Sequence, residues 1–555
     1  MLPDRQYAVE LHGPGQLRLV SDKPIRPPGP YEILARVDAV GLCFSDLKLL
    51  KQFSAHPRKG KILSGLDQQT LSQVRSYRPG DLPTVPGHEA ACTIVATGSK
   101  VTCCKVGQRV LVQTDYRWLP TDGSNAAFGY NFEGALQQYV SMDQRVITDP
   151  ATGQSMLIPV DEGLSSSAVA LVEPWACVES SYATTHRRRI LPEGRLLVWA
   201  QRGRKVLGLE QCLDRRARPA EVFCYVEDGV VPPALEGIGQ TIRQITSMEA
   251  IASQEFDDIV YFGSDAQVIE RLGERLAHGG MMNIVLAGRR IGQEVSVGVG
   301  RVHYGLTRWV GTMGEDASEG YNAIPDDGQV RTGERVAVLG AAGPMGQMHV
   351  IRLLCSGLEG LHLVGTDIDQ GRLNALARKA AALARRYRVE LELIDISKQG
   401  LAGPFDYIAI MVPAGAMVQQ AIGLSRPGTR INIFAGIPAQ TVCKIDLDTY
   451  IQNRCYMFGT SGSTLSDMLI VLDELTSGRV DTNLSVDAVS GMAGAIDGLK
   501  AVEDRTLSGK IIVYPSLPDL PLTPLDRLQK ELPAVGSMLK DGIWTKAAEQ
   551  ALLGR

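Results

Sequence analysis

Three things are missing from this chain, and each absence narrows its function. No apolar run reaches the ~20 residues that a helix needs to cross a bilayer. Neither sign of charge is in excess: the net charge is −4 over 555 residues, which gives no reason to expect nucleic acid or an anionic membrane as partner. The ten cysteines include no C-x-x-C spacing, and Cys103 and Cys104 simply adjoin. Scattered cysteines in a large chain point to reduced thiols and a cytoplasmic setting. The opening MLPDRQYAVEL has no charged-then-apolar pattern, so no secretory leader is expected. What remains is a globular composition too long for one core, with two to four domains expected.

The most informative stretch is Glu334 to Arg372. A β-branched and aliphatic run, Val336 to Leu339, leads into a turn with Gly340, Gly343 and Gly346; a helical segment follows, and a second aliphatic run ends at Asp367. A strand, glycine turn, helix and strand closing on an acid 21 residues past Gly346 is the context a dinucleotide fold needs. The small residues let backbone approach a pyrophosphate, and the N–H groups opening the helix hold its charge. Asp367 suits a free ribose 2′-hydroxyl and would repel a 2′-phosphate, which favours NAD over NADP. The G-x-G-x-x-G pattern is imperfect, because its first position is Ala341 and Gly340 stands one place early. A glycine turn alone needs no ligand; the flanking strands and the terminal acid carry the reading.

Residues 1–190 alternate in short β segments, Tyr7–Leu11, Glu32–Ala39, Ala91–Ala96 and Arg109–Gln113, separated by Gly and Pro clusters. Three patterns stand out: GLCFSDLK with Cys43, Ser45, Asp46 and Lys48; VPGHEA with His88 and Glu89; and LVEPWAC with Glu173. A thiolate, an imidazole and a carboxylate make a ligand set for catalytic zinc with a fourth position open. Singly, each residue has an ordinary reading: a buried hydrophobic cysteine, a hydrogen-bonded turn, an acid at a helix start. Their joint order upstream of a dinucleotide unit is what favours chemistry.

On these motifs the chain resembles the zinc-dependent medium-chain dehydrogenases, which include sorbitol, threonine and alcohol dehydrogenases. GLCFSDLK, VPGHE, VEPWA and AGPMG match their cysteine, GHE, EP and glycine-turn motifs, and the similarity runs from about Tyr7 to Pro515 apart from one inserted region. Lys48, GPMG, TDIDQ-x-RL and GTSG are similar to a branch resembling L-sorbose-1-phosphate reductase. The resemblance implies Cys43 and His88 as zinc ligands, Glu173 as the third ligand or the partner of the metal-bound water, Glu89 exchanging onto the metal and Asp46 orienting His88. It also implies Ser45 and Lys48 as a proton relay from the reacting oxygen. Gly343, Pro344, Met345, Gly346, Asp367, Arg372, Val412, Gly436 and Thr460 would contact the cofactor. The loop Gln113 to Gly134 lacks the cysteines of a structural zinc, so one catalytic zinc and no structural zinc are expected. Between Cys43 and His88 lie 44 residues (44 to 87) carrying Lys51, His56, Arg58, Lys59, Lys61, Arg75 and Arg78. They read either as a lid that pairs a substrate phosphate or as a solvated basic loop.

The chain also contains a repeat. EGRLLVWAQRGRKVLGL from Glu193 parallels GERVAVLGAAGPMGQMH from Gly333; FDDIVYF parallels FDYIAIM, HGGMMNIVLAG parallels RPGTRINIFAG, and WVGTMG parallels MFGTSG. In the first copy Gln201 and Val206 stand where Ala341 and Gly346 stand in the second, so its dinucleotide turn is damaged. Arg202, Arg204 and Lys205 leave anion binding there open, and the copy is expected to cover a sheet edge of its intact partner.

The fold expected is α/β: a GroES-like β catalytic domain (1–190), a degenerate Rossmann-like domain (191–317), a link (318–332), an NAD-binding Rossmann domain with a doubly wound parallel sheet (333–480), a return to the catalytic domain (481–515) and a helical tail (516–555) without assigned chemistry. The function expected is hydride transfer between NAD and a secondary alcohol or ketone of a polyol, sugar or sugar phosphate, with no nucleic-acid or membrane partner and homo-oligomerisation left open. Two rivals stand beside it: an epimerase-like enzyme that retains NAD through a transient oxidation, and a non-catalytic NAD- or sugar-sensing protein.

Overall fold

The computed structural model describes residues 2–215 and 217–554. They form two units: residues up to Glu179 together with those from Gly462 onward, and Ser180–Ser461. Among the described residues no helix is long and apolar enough to cross a membrane.

The first unit is built on a mainly antiparallel sheet whose central strand, Glu32–Gly41, is buried along nearly its whole length. Ile33, Val37 and Val40 give it the β-branched character of a strand covered on both faces. It pairs with Glu89–Thr97 on one side and with Lys510–Val513 and Tyr139–Asp143 on the other. At the end of this strand Gly41 stands opposite both Glu89 and Ile512, so three strands meet in one register row. The unit resumes at Gly462, earlier than position 481, because the helix Leu465–Thr476 sends Leu465 onto the core of the β unit. The tail forms helices Leu525–Glu531, Pro533–Gly536 and Lys546–Leu552. It is anchored by Glu549, whose carboxylate accepts the N–H groups of Ser166 and Ser167 at 2.6 and 2.8 Å.

The second unit holds two six-stranded parallel sheets of the same topology. Numbered along the chain within each copy, the strands lie in the order 3-2-1-4-5-6, the dinucleotide-fold order. The first copy runs from Arg195–Ala200 to Arg308–Thr312, the second from Arg335–Leu339 to Tyr456–Phe458. Their sixth strands adjoin, and Val295–Val297 pairs antiparallel with Cys443–Ile445 across the seam. The Tyr450 hydroxyl donates to the Trp309 carbonyl at 2.8 Å, and the Asp448 carboxylate accepts the N–H groups of Ile291 and Gly292. The damaged copy therefore covers the open sheet edge of the intact one inside a single chain. The segment expected as a polar link is part of this unit: it forms helix Ser318–Asn322 and buries Tyr321, whose hydroxyl donates to Asp258 at 2.8 Å. Burial of the tyrosine, which its polar neighbours conceal in the sequence, is what draws the segment in.

Candidate active site

The register row at Gly41 gathers the site from three strands. Cys43 follows Gly41 by two residues and caps the helix Phe44–Gln52; His88 precedes Glu89; Lys510 precedes Ile512 by two. The Cys43 N–H donates to Asp46 Oδ2 at 3.0 Å, while Asp46 Oδ1 lies 3.0 Å from His88 Nδ1 and accepts the Gly87 N–H at 3.3 Å. An ionised carboxylate only accepts, so Nδ1 carries the proton and Nε2 is left as the lone-pair donor, the orientation a metal-ligating histidine takes. Asp46 is fully buried, so this anchor is held away from solvent.

Donor atoms of Cys43, His88 and Glu89 all lie within 4.8 Å of one another. Glu89 pairs through Oε1 with Lys510 Nζ at 2.5 Å, but its buried Oε2 has no hydrogen-bond partner. A Cβ at Gly41 would collide with that oxygen, so the glycine makes room for the carboxylate. A thiol, an imidazole and an orphaned carboxylate oxygen at this spacing fit a zinc ion with bonds of about 2.0–2.3 Å.

This group differs by one residue from the ligand set expected from the sequence. There Glu173 is the third ligand or the partner of the metal-bound water, and Glu89 stands beside it; in the structure the closest group holds Glu89, and Glu173 is not part of it. Glu89 follows His88 directly at the start of a strand, whereas Glu173 sits in the first turn of helix Val172–Ala183, 4.0 Å from the Cys177 sulfur one turn on. Glu173 still faces the cluster. Burial raises its carboxyl to about 7, with Glu89 and Asp115 pushing the same way against His88 and Lys510.

Ser45 and Lys48 lie half-buried on the Phe44–Gln52 helix beside these groups. Tyr130, which sequence reasoning did not single out, sits at the centre of a buried ring cluster: its ring centroid is 5.7 Å from that of His88 and 5.1 Å from that of His56. Burial, with Arg58 and Lys48 nearby, lowers His56 to about 4. Arg58 lies over the Tyr130 ring and is ion-paired with Asp115. Lys510 was missed as well; it is 421 positions from its partner, and nothing local in LSGKIIV marks a lysine that is to be buried.

The cations of the inserted segment are mostly committed within the protein. Lys51 pairs with Glu503, Arg75 with Glu32 and Arg78 with Glu133. Lys59 is fully buried and donates to the carbonyls of Arg78 and Leu82. The segment is thus pinned structure with short helices, and the phosphate-lid reading loses most of its donors.

In the second unit the intact copy keeps its glycine turn. Gly340 has φ +84°, Gly343 caps the helix Pro344–Leu354, and a Cβ at Gly346 would collide with the carbonyl of Gly340. Ala341, the departure from the usual pattern, is fully buried. Pro344 is exposed and Met345 half-buried in the first helical turn. Asp367 ends its strand, with Oδ2 accepting the Ala342 N–H at 3.2 Å and Oδ1 the Ile368 N–H at 2.8 Å. Val412, Gly436 and Thr460 follow the carboxyl ends of the fourth, fifth and sixth strands, where open α/β sheets bind ligands. The Thr460 hydroxyl is buried without a hydrogen-bond partner. Arg372 stays near Asp369, at 3.6 Å.

The damaged copy has filled its own turn. The N–H groups of Arg202 and Gly203 donate to Glu227 and Asp228, both at 2.9 Å, and the Gln201 side chain accepts the Ser264 N–H. The helix after the turn is reduced to Leu209–Cys212. Protein carboxylates occupy the donors a phosphate would need, so the anion site left open around Arg202, Arg204 and Lys205 is not built as a dinucleotide turn.

Residues 29–150 match the alcohol dehydrogenase GroES-like domain. The chain is 28% identical over 251 residues to mannitol-1-phosphate 5-dehydrogenase of Aliivibrio fischeri, covering 40% of this chain and 57% of that protein. It is 36% identical over 109 residues to sorbitol dehydrogenase of Gallus gallus, covering 20% of this chain and 25% of that protein. The matched region therefore spans little more than half the length of such relatives at most. Among solved structures, 2R,3R-butanediol dehydrogenase from Bacillus subtilis shares the fold, with a TM-score of 0.51 at 14% identity over 92% of this chain and 99% of that one. The chain thus carries an alcohol dehydrogenase GroES-like domain, is similar to sorbitol dehydrogenase over part of its length, and shares the fold of 2R,3R-butanediol dehydrogenase.

Proposed function

We propose that the chain is an NAD-dependent zinc dehydrogenase that oxidises a secondary alcohol of a polyol, sugar or sugar phosphate. The observation that carries this reading is the meeting of Cys43, His88 and Glu89 within 4.8 Å, with one carboxylate oxygen left unpartnered. The names of two relatives, mannitol-1-phosphate 5-dehydrogenase and sorbitol dehydrogenase, support a polyol.

When bound, zinc would supply an electrophile for the alcohol oxygen, and NAD would take the hydride. The residues of the chain do the rest. Asp46 fixes the His88 ring, and Lys510 balances the charge of Glu89. Ser45 would hold the substrate hydroxyl, and Lys48, one turn further along the same helix, would pass its proton outward. Glu173, raised to about 7, is a second acid-base group facing the same cluster. Asp367 selects the cofactor by accepting from the adenosine ribose.

Metal analysis of the purified chain combined with an NAD-coupled screen of polyols and sugar phosphates tests this. One zinc per chain and NADH formation with at least one polyol are expected. A metal-free chain with no turnover of any polyol would refute the reading, whereas tightly retained NAD without net NADH release would move it to an enzyme of transient oxidation.

A further inference from the structure

The damaged copy has given up its own nucleotide turn, yet it directs specific donors at the intact copy. Its helix Val299–Tyr304 and its last strand, Arg308–Thr312, both pack on the sixth strand of the intact sheet, Tyr456–Phe458. His303, buried, has Nδ1 3.1 Å from the carbonyl oxygen of Ile433. Arg308 donates through Nη2 to the carbonyl of Gly459 at 2.8 Å and through Nη1 to the carbonyls of Val302 and Thr307, each at 3.0 Å. It also hydrogen-bonds the Tyr456 side chain. One guanidinium thus ties the damaged copy to both ends of the short strand Tyr456–Phe458. Backbone meets backbone at the same place: a Cβ at Gly459 would lie 2.9 Å from both His303 Cα and the Ile433 oxygen.

An aliphatic side chain would close this seam as well as an arginine, without fixing any carbonyl. The two anchored carbonyls belong to Ile433, three residues before Gly436, and Gly459, one before Thr460. We propose that His303 and Arg308 are positioning residues for the nicotinamide half of the cofactor site. They hold the turns at Gly436 and Thr460 in the conformation that receives it, so that the damaged copy serves as a built-in brace for the intact one. This rests on the NAD-dependent function proposed above.

The test is calorimetric titration of the full-length chain with NADH and, separately, with ADP-ribose, which lacks the nicotinamide. Arg308→Met and His303→Leu are each expected to weaken NADH binding about tenfold, the scale of one lost hydrogen bond. ADP-ribose binding should stay within about twofold, since its contacts at Asp367 and the glycine turn are untouched. Arg308→Lys, which keeps the charge without the fork of donors, should fall between. Equal loss of both ligands, or loss of neither, would overturn the proposal; the His303 and Lys variants decide it if Arg308→Met does not fold. A wild-type chain that binds neither ligand overturns the NAD reading itself and needs no variant to show it.

Discussion

Lys510 Nζ lies 2.5 Å from Glu89 Oε1, and both side chains are buried, at 4% and 0% exposure. The pair neutralises one half of a carboxylate whose other oxygen has no hydrogen-bond partner. In the metal-free chain, removing the lysine alone leaves a buried carboxylate beside Cys43 and Glu173 without its ion-pair partner. Breaking a buried pair from one side costs about 3–5 kcal/mol, whereas replacing both partners by apolar groups is often nearly neutral. Lys510→Met should therefore lower the unfolding free energy by about 3 kcal/mol, and adding Glu89→Gln should recover much of it. Urea unfolding of the four proteins in the cycle measures this coupling; a single variant within about 0.5 kcal/mol of wild type would show that the pair does not form.

The Asp46 carboxylate fixes the His88 ring at 3.0 Å. Outer partners of this kind typically set metal affinity by about 10- to 100-fold. Asp46→Asn should therefore retain the fold but lose zinc to a chelator at a concentration about tenfold lower or less. The wild-type chain should hold one equivalent of zinc, because the Gln113 to Gly134 segment offers no cysteine. Removal of that equivalent should abolish dehydrogenase activity, and readdition should restore it. A second tightly held equivalent would contradict the reading of the loop.

Much of this site could be read from the chain because its parts are local motifs. Cys43 with Asp46, His88 with Glu89, and the glycines with Asp367 each lie within a short stretch whose spacing sets their geometry. The repeat was legible for the same reason, since a strand order of 3-2-1-4-5-6 is written as four spaced aliphatic landmarks in each copy. What could not be read depends on distant partners. The buried partner that holds Glu89 beside Cys43 and His88 is Lys510, hundreds of positions away. Tyr321 looked like part of a linker because its own neighbours are polar, and its burial is set by Asp258 and Arg187. The tail showed apolar spacing but not its purpose; Glu549 closes on the N–H groups of Ser166 and Ser167, at the start of the helical run that leads to Glu173.

Under the proposed function, cofactor choice turns on Asp367. With its carboxylate oriented by the N–H groups of Ala342, Ile368 and Asp369, it presents a fixed negative charge at the end of the second strand. Asp367→Ala should lower the preference for NAD over NADP, measured as a ratio of kcat/KM values, by about tenfold or more, as expected for the loss of one charged hydrogen bond and one repulsion. An unchanged ratio would mean that the ribose is recognised elsewhere.

His186 gives the second unit a pH dependence. Its ring meets Tyr456 and Phe458 edge-on, at 4.7 and 4.9 Å, and its Nε2 is buried without a partner. Burial, together with Arg308 and Arg430, lowers its pKa from 6.5 to about 3. His349 behaves alike: burial and Arg352 lower it to about 3, while Nδ1 meets the Tyr182 hydroxyl at 2.8 Å. A histidine depressed in the folded state is held neutral, so its contribution to stability is complete above pH 6.5. That contribution is lost as pH falls towards 3, because the unfolded chain takes up the proton first. At pH 5 each such group should cost about 2 kcal/mol relative to neutral pH. His186→Phe keeps the aromatic contacts and removes the titration, so the drop in urea-unfolding free energy of the second unit between pH 7 and pH 5 should shrink by about 2 kcal/mol. His349 would supply a similar remainder. If the His186→Phe chain lost stability as steeply as wild type over that interval, the ring would have to be accessible to protons in the fold, and the packing of the seam around Tyr456 would be looser than its distances indicate.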